Sequence, residues 1–314
     1  MEPANEAQPD VETDTDDSTY GDVESATASI TSSIFAYESE HGRRYHAYQA
    51  GKYVLPNDEA EQDRLDLQYH SIRFVMGDKL FLAPVKNPQS ILDIGTGTGI
   101  WAMDAGDAYP SAEIIGTDLS PIQPKWVPPN VKFEIDDVEQ PWTYSSDRFD
   151  LIHSRVMVGS IKDWPAYFKQ CFKHLKPGGY CEAQEMEVNI LTDDDSLPPK
   201  SAIQEWCAAL EEGCQKAGFS LRLNNTDLKQ WMEDAGFVDV QIINLKIPIG
   251  LWPEDQTLKE AGKAQLLATL DGAYGLTVAT WTRLLGRSTE SLEVFLVGLR
   301  KEFLQKSVHS YWPL

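Results

Sequence analysis

The chain has 314 residues, with 49 acidic side chains against 27 basic ones and a formal net charge of −22. That is enough for one large domain, or one domain with a cap, and the acidic balance argues against nucleic acid as a direct partner, because phosphates need a basic face. No apolar run approaches membrane-spanning length, no charged-then-apolar leader opens the chain, and Cys171, Cys181, Cys207 and Cys214 lack zinc spacing, so reduced core thiols, no metal and a cytoplasmic or nuclear place are expected.

Residues 1 to 42 hold eleven acids and no lysine or arginine, which is half of the net charge. Poor in apolar residues, the stretch 1–33 is predicted to be a disordered acidic tail: a solvated spacer, a phosphorylated segment or an arm that binds protein partners. Residues 34–85 follow as a helical lid segment. Tyr53, Tyr69 and His70 there either cover a ligand or simply pack, and Arg64 either grips a ligand or belongs to an ion pair.

Ser90 to Gly99 reads Ser-Ile-Leu-Asp-Ile-Gly-Thr-Gly-Thr-Gly, a short apolar strand running into a loop with glycine at every second position. Gly95, Gly97 and Gly99, with Thr96 among them, let a ligand touch the main chain directly. A dinucleotide loop wants a small residue where Ile100 stands, which counts against NAD or FAD. Asp93, inside the strand just before the turn, is placed to order the loop and to face a cation such as an amino acid ammonium. A second strand at 112–116 leads to Asp118 and Leu119; Asp118 lies 25 residues beyond Asp93, where an acid accepts both ribose hydroxyls. A third strand, 131–135, ends in Asp136, Asp137 and Val138. These offer a carboxylate and a backbone N–H to an adenine, or else form a solvated turn. Acids at three successive strand ends point to S-adenosylmethionine.

Phe149 to His153 is the fourth strand. His153 at its end is the first candidate for a general base toward a hydroxyl acceptor, or else packs and orients the loop. Arg155 either holds an anionic acceptor or the methionine carboxylate, or joins an ion pair. A helix over 164–175, a turn at 176–179 and a fifth strand over 180–188 come next, the last carrying Glu185 as the second base candidate. Helices at 202–217 and 226–235, a sixth strand at 238–248, and helices at 257–270 and 289–305 complete the pattern. This alternation predicts an α/β fold with a mostly parallel sheet, helices on both faces, and a ligand beyond the carboxyl ends of the strands. Residues 249–288 are read as a helical cap inserted in a domain spanning 86–314. Trp252 in its entry turn, with Trp231, Trp281, Tyr274 and Leu266, is a candidate wall of an acceptor pocket, although aromatics at helical spacing, Trp231 above all, are more often core.

With these motifs in place, the sequence resembles the Rossmann-like class I methyltransferases, and more narrowly the fungal methyltransferases related to the secondary-metabolism regulator LaeA. The likeness runs from about Tyr45 to Pro313. It includes Gly51-Lys52-Tyr53-Val54-Leu55-Pro56-Asn57-Asp58-Glu59, Asp63-Arg64-Leu65-Asp66-Leu67, Asp118-Leu119-Ser120-Pro121, Gly159-Ser160-Ile161-Lys162-Asp163-Trp164 and Leu251-Trp252-Pro253. The resemblance implies methyl transfer from S-adenosylmethionine to a small-molecule acceptor, without a metal. By position, Asp93 and the three glycines would hold the methionine part, Asp118 the ribose, and Asp137 with Val138 the adenine. No Asn/Asp-Pro-Pro-Tyr follows the fourth strand, where His153-Ser154-Arg155-Val156 stands, which argues against methylation of adenine or glutamine nitrogens. Relatives continue past a His-x-Tyr element, here His309-Ser310-Tyr311, into a last antiparallel strand. The chain stops at Leu314, so either that strand is absent, which would leave the sixth strand with an open edge, or the sequence is a shortened form. A regulator working in a nuclear protein complex is the alternative to a metabolite-methylating enzyme.

Overall fold

The computed structural model describes residues 37–49, 54–198 and 200–314. The predicted acidic tail at 1–33 and Tyr53 lie outside the described residues.

Five strands form the central sheet: β3 (Ser90–Ile94), β4 (Glu113–Asp118), β5 (Val131–Ile135), β6 (Phe149–Arg155) and β7 (Leu175–Gln184). Their order is β5-β4-β3-β6-β7 and every pairing is parallel. The apolar run of β3 follows from this arrangement, since all five of its residues are buried, as a strand covered by helices on both faces requires. Helix α2 (Ile100–Ala108) presses Trp101 against one face, while α3 (Trp164–His174) packs Phe168 and Cys171 against the other. The chain connections reverse between β3 and β6, so the carboxyl ends of β3 and β4 open into the crevice where such sheets bind ligands.

Ahead of the sheet lie a hairpin, β1 (Glu38–Glu40) with β2 (Arg43–Tyr45), and the helix α1 (Glu59–Val75). Asp58 caps α1 through Glu61 N–H at 3.1 Å and binds Arg43 of the hairpin, so one carboxylate fixes both the helix start and its approach. After the sheet come α4 (Ala202–Lys216), α5 (Asn225–Ala235), β8 (Lys246–Pro248), α6 (Gln256–Ala279) running into a π-helical turn at Thr280–Leu284, α7 (Thr289–Phe303) and β9 (Tyr311–Pro313). Helix α6 lies along α1. Ser71 Oγ donates to the Ala261 carbonyl at 3.0 Å, and Gly272 makes room for the Arg64 side chain. A second core, built around Trp206, Val278, Trp281, Leu292 and Leu299, joins these C-terminal helices.

Three expectations change. The fifth strand begins at Leu175 and takes in the Lys176-Pro177-Gly178-Gly179 segment through a register shift opposite β6; it stops at Gln184, so Glu185 stands just past its end. Of the eleven residues read as a sixth strand, only Lys246–Pro248 form one, prolonged by the reciprocal Leu245–Leu314 backbone bonds; Val238 and Ile243 are exposed. A last antiparallel strand is present, but it lies outside the five-stranded sheet. β9 pairs with β8 on one side, and on the other Tyr311 pairs with Leu191 while the Glu187 N–H donates to the Pro313 carbonyl at 3.2 Å. Three residues are enough to seat β9 between β8 and the segment that follows β7, which gives one edge of β8 a partner.

Candidate active site

The glycine loop sits at the tip of β3 with Gly95, Gly97 and Gly99 at φ of +66°, +57° and +82°, a left-handed region that favours glycine. A Cβ at Gly95 would lie 2.2 Å from Met157 Sδ, and one at Gly99 would lie 2.4 Å from the Phe133 ring. At Gly97 the nearest neighbour would be Leu65, at 3.5 Å, so this turn of backbone faces the cavity. The loop is tied down from three sides. Thr96 Oγ1 donates to Asp93 at 2.6 Å, Thr98 Oγ1 donates to Asp66 of α1 at 2.6 Å, and Gln123 Nε2 donates to the Gly97 carbonyl at 2.7 Å.

Asp118 closes β4. One carboxylate oxygen accepts the Gly97 N–H at 2.9 Å and the other the Ser120 N–H at 2.9 Å. Burial, helped by nearby Asp93, pushes its carboxyl up to about 6 against these two backbone donors. Asp136, past the end of β5, lines the same cavity and is likewise raised by burial. Asp137 is 1% exposed and accepts the Glu139 N–H at 3.1 Å, while the Val138 carbonyl takes the Trp142 indole N–H at 2.9 Å.

Asp93 itself is 2% exposed, with Thr96 on one oxygen and His153 Nδ1, at 2.7 Å, on the other. The His153 ring is fully buried and lies flat against Trp101, the ring centres 3.8 Å apart and the planes 2° from parallel. With Nδ1 donating to a carboxylate, Nε2 is left as a lone pair, and it has no partner. Arg155, two residues on, is the other conspicuous group. Its Nε donates to Gln184 at 2.8 Å, and its guanidinium lies over the Tyr69 ring, 5.0 Å from the centre. Both terminal nitrogens are buried without a partner, and burial draws its pKa down to about 10. No carboxylate among the described residues forms an ion pair with it, which is a costly state for a guanidinium unless a ligand brings the anion.

One cavity is lined by Asp93, Gly95, Thr96, Gly97, Asp118, Leu119, Asp136, Asp137, Val138, His153 and Arg155. Two of the residues given a cofactor or base role in the sequence lie apart from this wall. Gly99 starts α2 against Phe133, and Glu185 turns its carboxylate to the Val158 N–H at 2.9 Å, holding the loop after β6. Burial lifts the Glu185 carboxyl to about 8. Of the lid residues, Tyr69 and Arg64 line the cavity; His70 is exposed.

The C-terminal part of the chain contributes different residues from those expected. Trp252 donates to the Ser310 carbonyl at 3.0 Å, Trp281 stacks on Phe295, Trp231 packs beside α3, and Leu266 and Tyr274 join the C-terminal core, so none of the five reaches the cavity. Trp206, Leu210, Cys214, Thr280 and Trp312 form its wall instead, with Gln265 and Thr269 of α6. The helices of Trp206, Leu210, Cys214, Gln265 and Thr269 were legible in the sequence, but nothing there said which face turns inward, and Thr280 and Trp312 lie outside the predicted helices. Cys171, Cys207 and Cys214 are buried free thiols and Cys181 is half-buried. Among the described residues no helix is long and apolar enough to cross a membrane.

Comparison with known proteins gives a consistent result. The methyltransferase-domain family profile matches residues 67–242. Methyltransferase pytC of Aspergillus terreus is 44% identical over 92% of this chain and 89% of its own length. The secondary metabolism regulator LAE1 of Cochliobolus heterostrophus is 36% identical, over 87% of this chain and 91% of that protein. Among solved structures, phosphoethanolamine N-methyltransferase 2 of Haemonchus contortus, in complex with S-adenosyl-L-methionine, matches with a TM-score of 0.44 and 16% identity, covering 94% of this chain and 74% of that one.

Proposed function

The chain belongs to the family of S-adenosylmethionine-dependent methyltransferases, and from that premise we propose that it methylates a small-molecule acceptor in fungal secondary metabolism. The observation that carries this reading is the single cavity that runs from the glycine loop and the acids at the ends of β3, β4 and β5 into an apolar chamber under the C-terminal helices. The residues suit the cofactor's chemistry. Asp118 offers acceptor oxygens for ribose hydroxyls, Asp136 and Asp137 a carboxylate near an adenine amino group, the Gly97 turn an open stretch of backbone, and Arg155 an unpaired cation for an amino acid carboxylate.

S-adenosylmethionine supplies a methyl group already activated on a sulfonium. The chain's task is therefore to align and to exclude water. Asp93 orders the loop through Thr96 and fixes the His153 tautomer, which presents Nε2 as the proton acceptor for a hydroxyl. Glu185, outside the cavity wall, supports the Met157–Val158 turn.

A regulatory role through protein partners is the second reading, favoured by the regulators among the relatives, with the acidic segment at 1–33 as the arm that would engage them in cytoplasm or nucleus. The greater identity to a protein named a methyltransferase favours the enzyme. Calorimetric binding of S-adenosylmethionine with Asp118→Ala as control tests it. Micromolar binding that the substitution abolishes supports the reading, and a folded chain that binds none overturns it.

A further inference from the structure

The cavity divides chemically. Every charged residue on its wall belongs to α1 or to the strand ends and the loop after them; the far end, formed by Trp206, Leu210 and Cys214 of α4, Leu221, Thr280 and Trp312, carries none. Trp206 is fully buried and its indole N–H is spent on Thr277 Oγ1 at 2.6 Å, so only ring carbon is offered to an occupant. Cys214 stays a neutral thiol, its pKa pushed up to about 11 by burial.

A polar seam borders this chamber where α1 and α6 meet. Glu61 Oε1 accepts Arg64 Nε at 3.0 Å and Nη2 at 2.8 Å, so the two charges offset one another. Gln68 donates to Met186 Sδ at 3.7 Å. On α6, Thr269 Oγ1 donates to the Gln265 carbonyl at 2.8 Å, which leaves its lone pairs for the Gln265 amide nitrogen at 3.4 Å. That contact fixes the amide's orientation. Gln265 Oε1 consequently points away from Thr269, and it has no donor although the residue is 2% exposed and lines the cavity. An acceptor oxygen buried in this way is costly to leave without a donor unless a ligand supplies one.

We propose that the chamber holds the methyl acceptor, and that the acceptor is an uncharged, predominantly aromatic or aliphatic molecule that donates a hydroxyl or amide hydrogen bond to Gln265 Oε1. The proposal rests on the methyltransferase reading of the same cavity. An anion is disfavoured in the chamber because Arg64, the cation on its border, is already held by Glu61, and a cation because that guanidinium already offsets the Glu61 charge, although Glu61 Oε2 has no hydrogen-bond partner.

The test uses the full chain saturated with S-adenosylhomocysteine and three probes of one shape: 1-naphthol, 1-methoxynaphthalene and 1-naphthoate, followed by equilibrium dialysis. 1-Naphthol is expected to bind at least about tenfold tighter than 1-naphthoate. Gln265→Leu should weaken 1-naphthol by about tenfold and leave 1-methoxynaphthalene within about twofold. Leu210→Trp and the milder filling Cys214→Met should each weaken both neutral probes while S-adenosylhomocysteine affinity is kept, which also shows that the fold is intact. Neutral probes that do not bind, that bind the filled variants as well as the parent, or that respond alike to Gln265→Leu overturn the proposal. Failure of the parent chain to bind S-adenosylhomocysteine is read separately and overturns the methyltransferase reading beneath it.

Discussion

The affinity for S-adenosylmethionine should fall as pH drops through 6, and Asp118 is the reason. Its carboxyl in the free chain sits at about 6, raised mainly by burial and partly offset by the Ser120 and Gly97 N–H donors. Ribose hydroxyls need acceptor oxygens, so the cofactor selects the ionised form, and a proton held by the free chain must leave on binding. The ionised fraction is close to one at pH 8 and falls to roughly a quarter at pH 5.5, so the dissociation constant should rise about fourfold between them. Near pH 6 about half a proton should be released per cofactor bound, a quantity calorimetry reads from the heats in two buffers of different ionisation enthalpy. For stability of the free chain the sign is opposite. A carboxyl raised above its unfolded value destabilises the fold above its folded pKa, and that loss is relieved as pH falls from about 6 toward the unfolded value near 4. Acidification should therefore ease this strain in the free protein while weakening cofactor binding. Asp118→Asn should bind weakly with no pH dependence across this range. A parent affinity that stays flat from pH 8 to 5.5, or an Asn variant that follows the parent's slope, would refute the reasoning.

Three further outcomes are expected. Arg155→Met removes a buried guanidinium that has no anionic partner, so the free chain should unfold at higher urea while S-adenosylhomocysteine affinity drops about tenfold or more; a variant weakened in both respects would show Arg155 to be structural. His153→Ala strips Asp93 of a partner and leaves space beneath Trp101, a loss of about 3–5 kcal/mol in urea unfolding, and a loss below about 1 kcal/mol would sink that account. Two helical glycines should respond in opposite senses. A Cβ at Gly262 would lie 2.1 Å from the Gly250 carbonyl oxygen, a backbone atom that cannot rotate away, so Gly262→Ala should cost about 2 kcal/mol or more, whereas Gly298 has open space around it and Gly298→Ala should gain about 0.5–1 kcal/mol; thermal melts of the pair check the contrast.

The cofactor half of the site was legible because its chemistry is written in contiguous residues. A glycine loop after a buried strand, and an acid at each of the next two strand ends, depend on local backbone geometry, and the parallel sheet brings them together wherever the register falls. The acceptor half is built differently. Trp206, Gln265 and Trp312 come from three separate elements, and each is an ordinary helix or strand residue until α4, α6 and β9 are packed. Tryptophans in the most distinctive local motifs, such as Trp252 in Leu251-Trp252-Pro253, are used to fasten the cap, as its bond to the Ser310 carbonyl shows. The extent of α6 was hidden for a related reason. The helix predicted over 257–270 runs on to Ala279 through Gly272 and Gly275, where a Cβ would collide with Arg64 and Arg43, so these are the places where α1 and the hairpin press against α6. A glycine that breaks a helix and one that admits a neighbour look the same in one dimension. The close approach at Gly272 also brings α1 and its Glu61–Arg64 pair within reach of the α6 wall that carries Gln265. The residues that obscured the helix in the sequence are thus the ones that give the acceptor chamber its polar border.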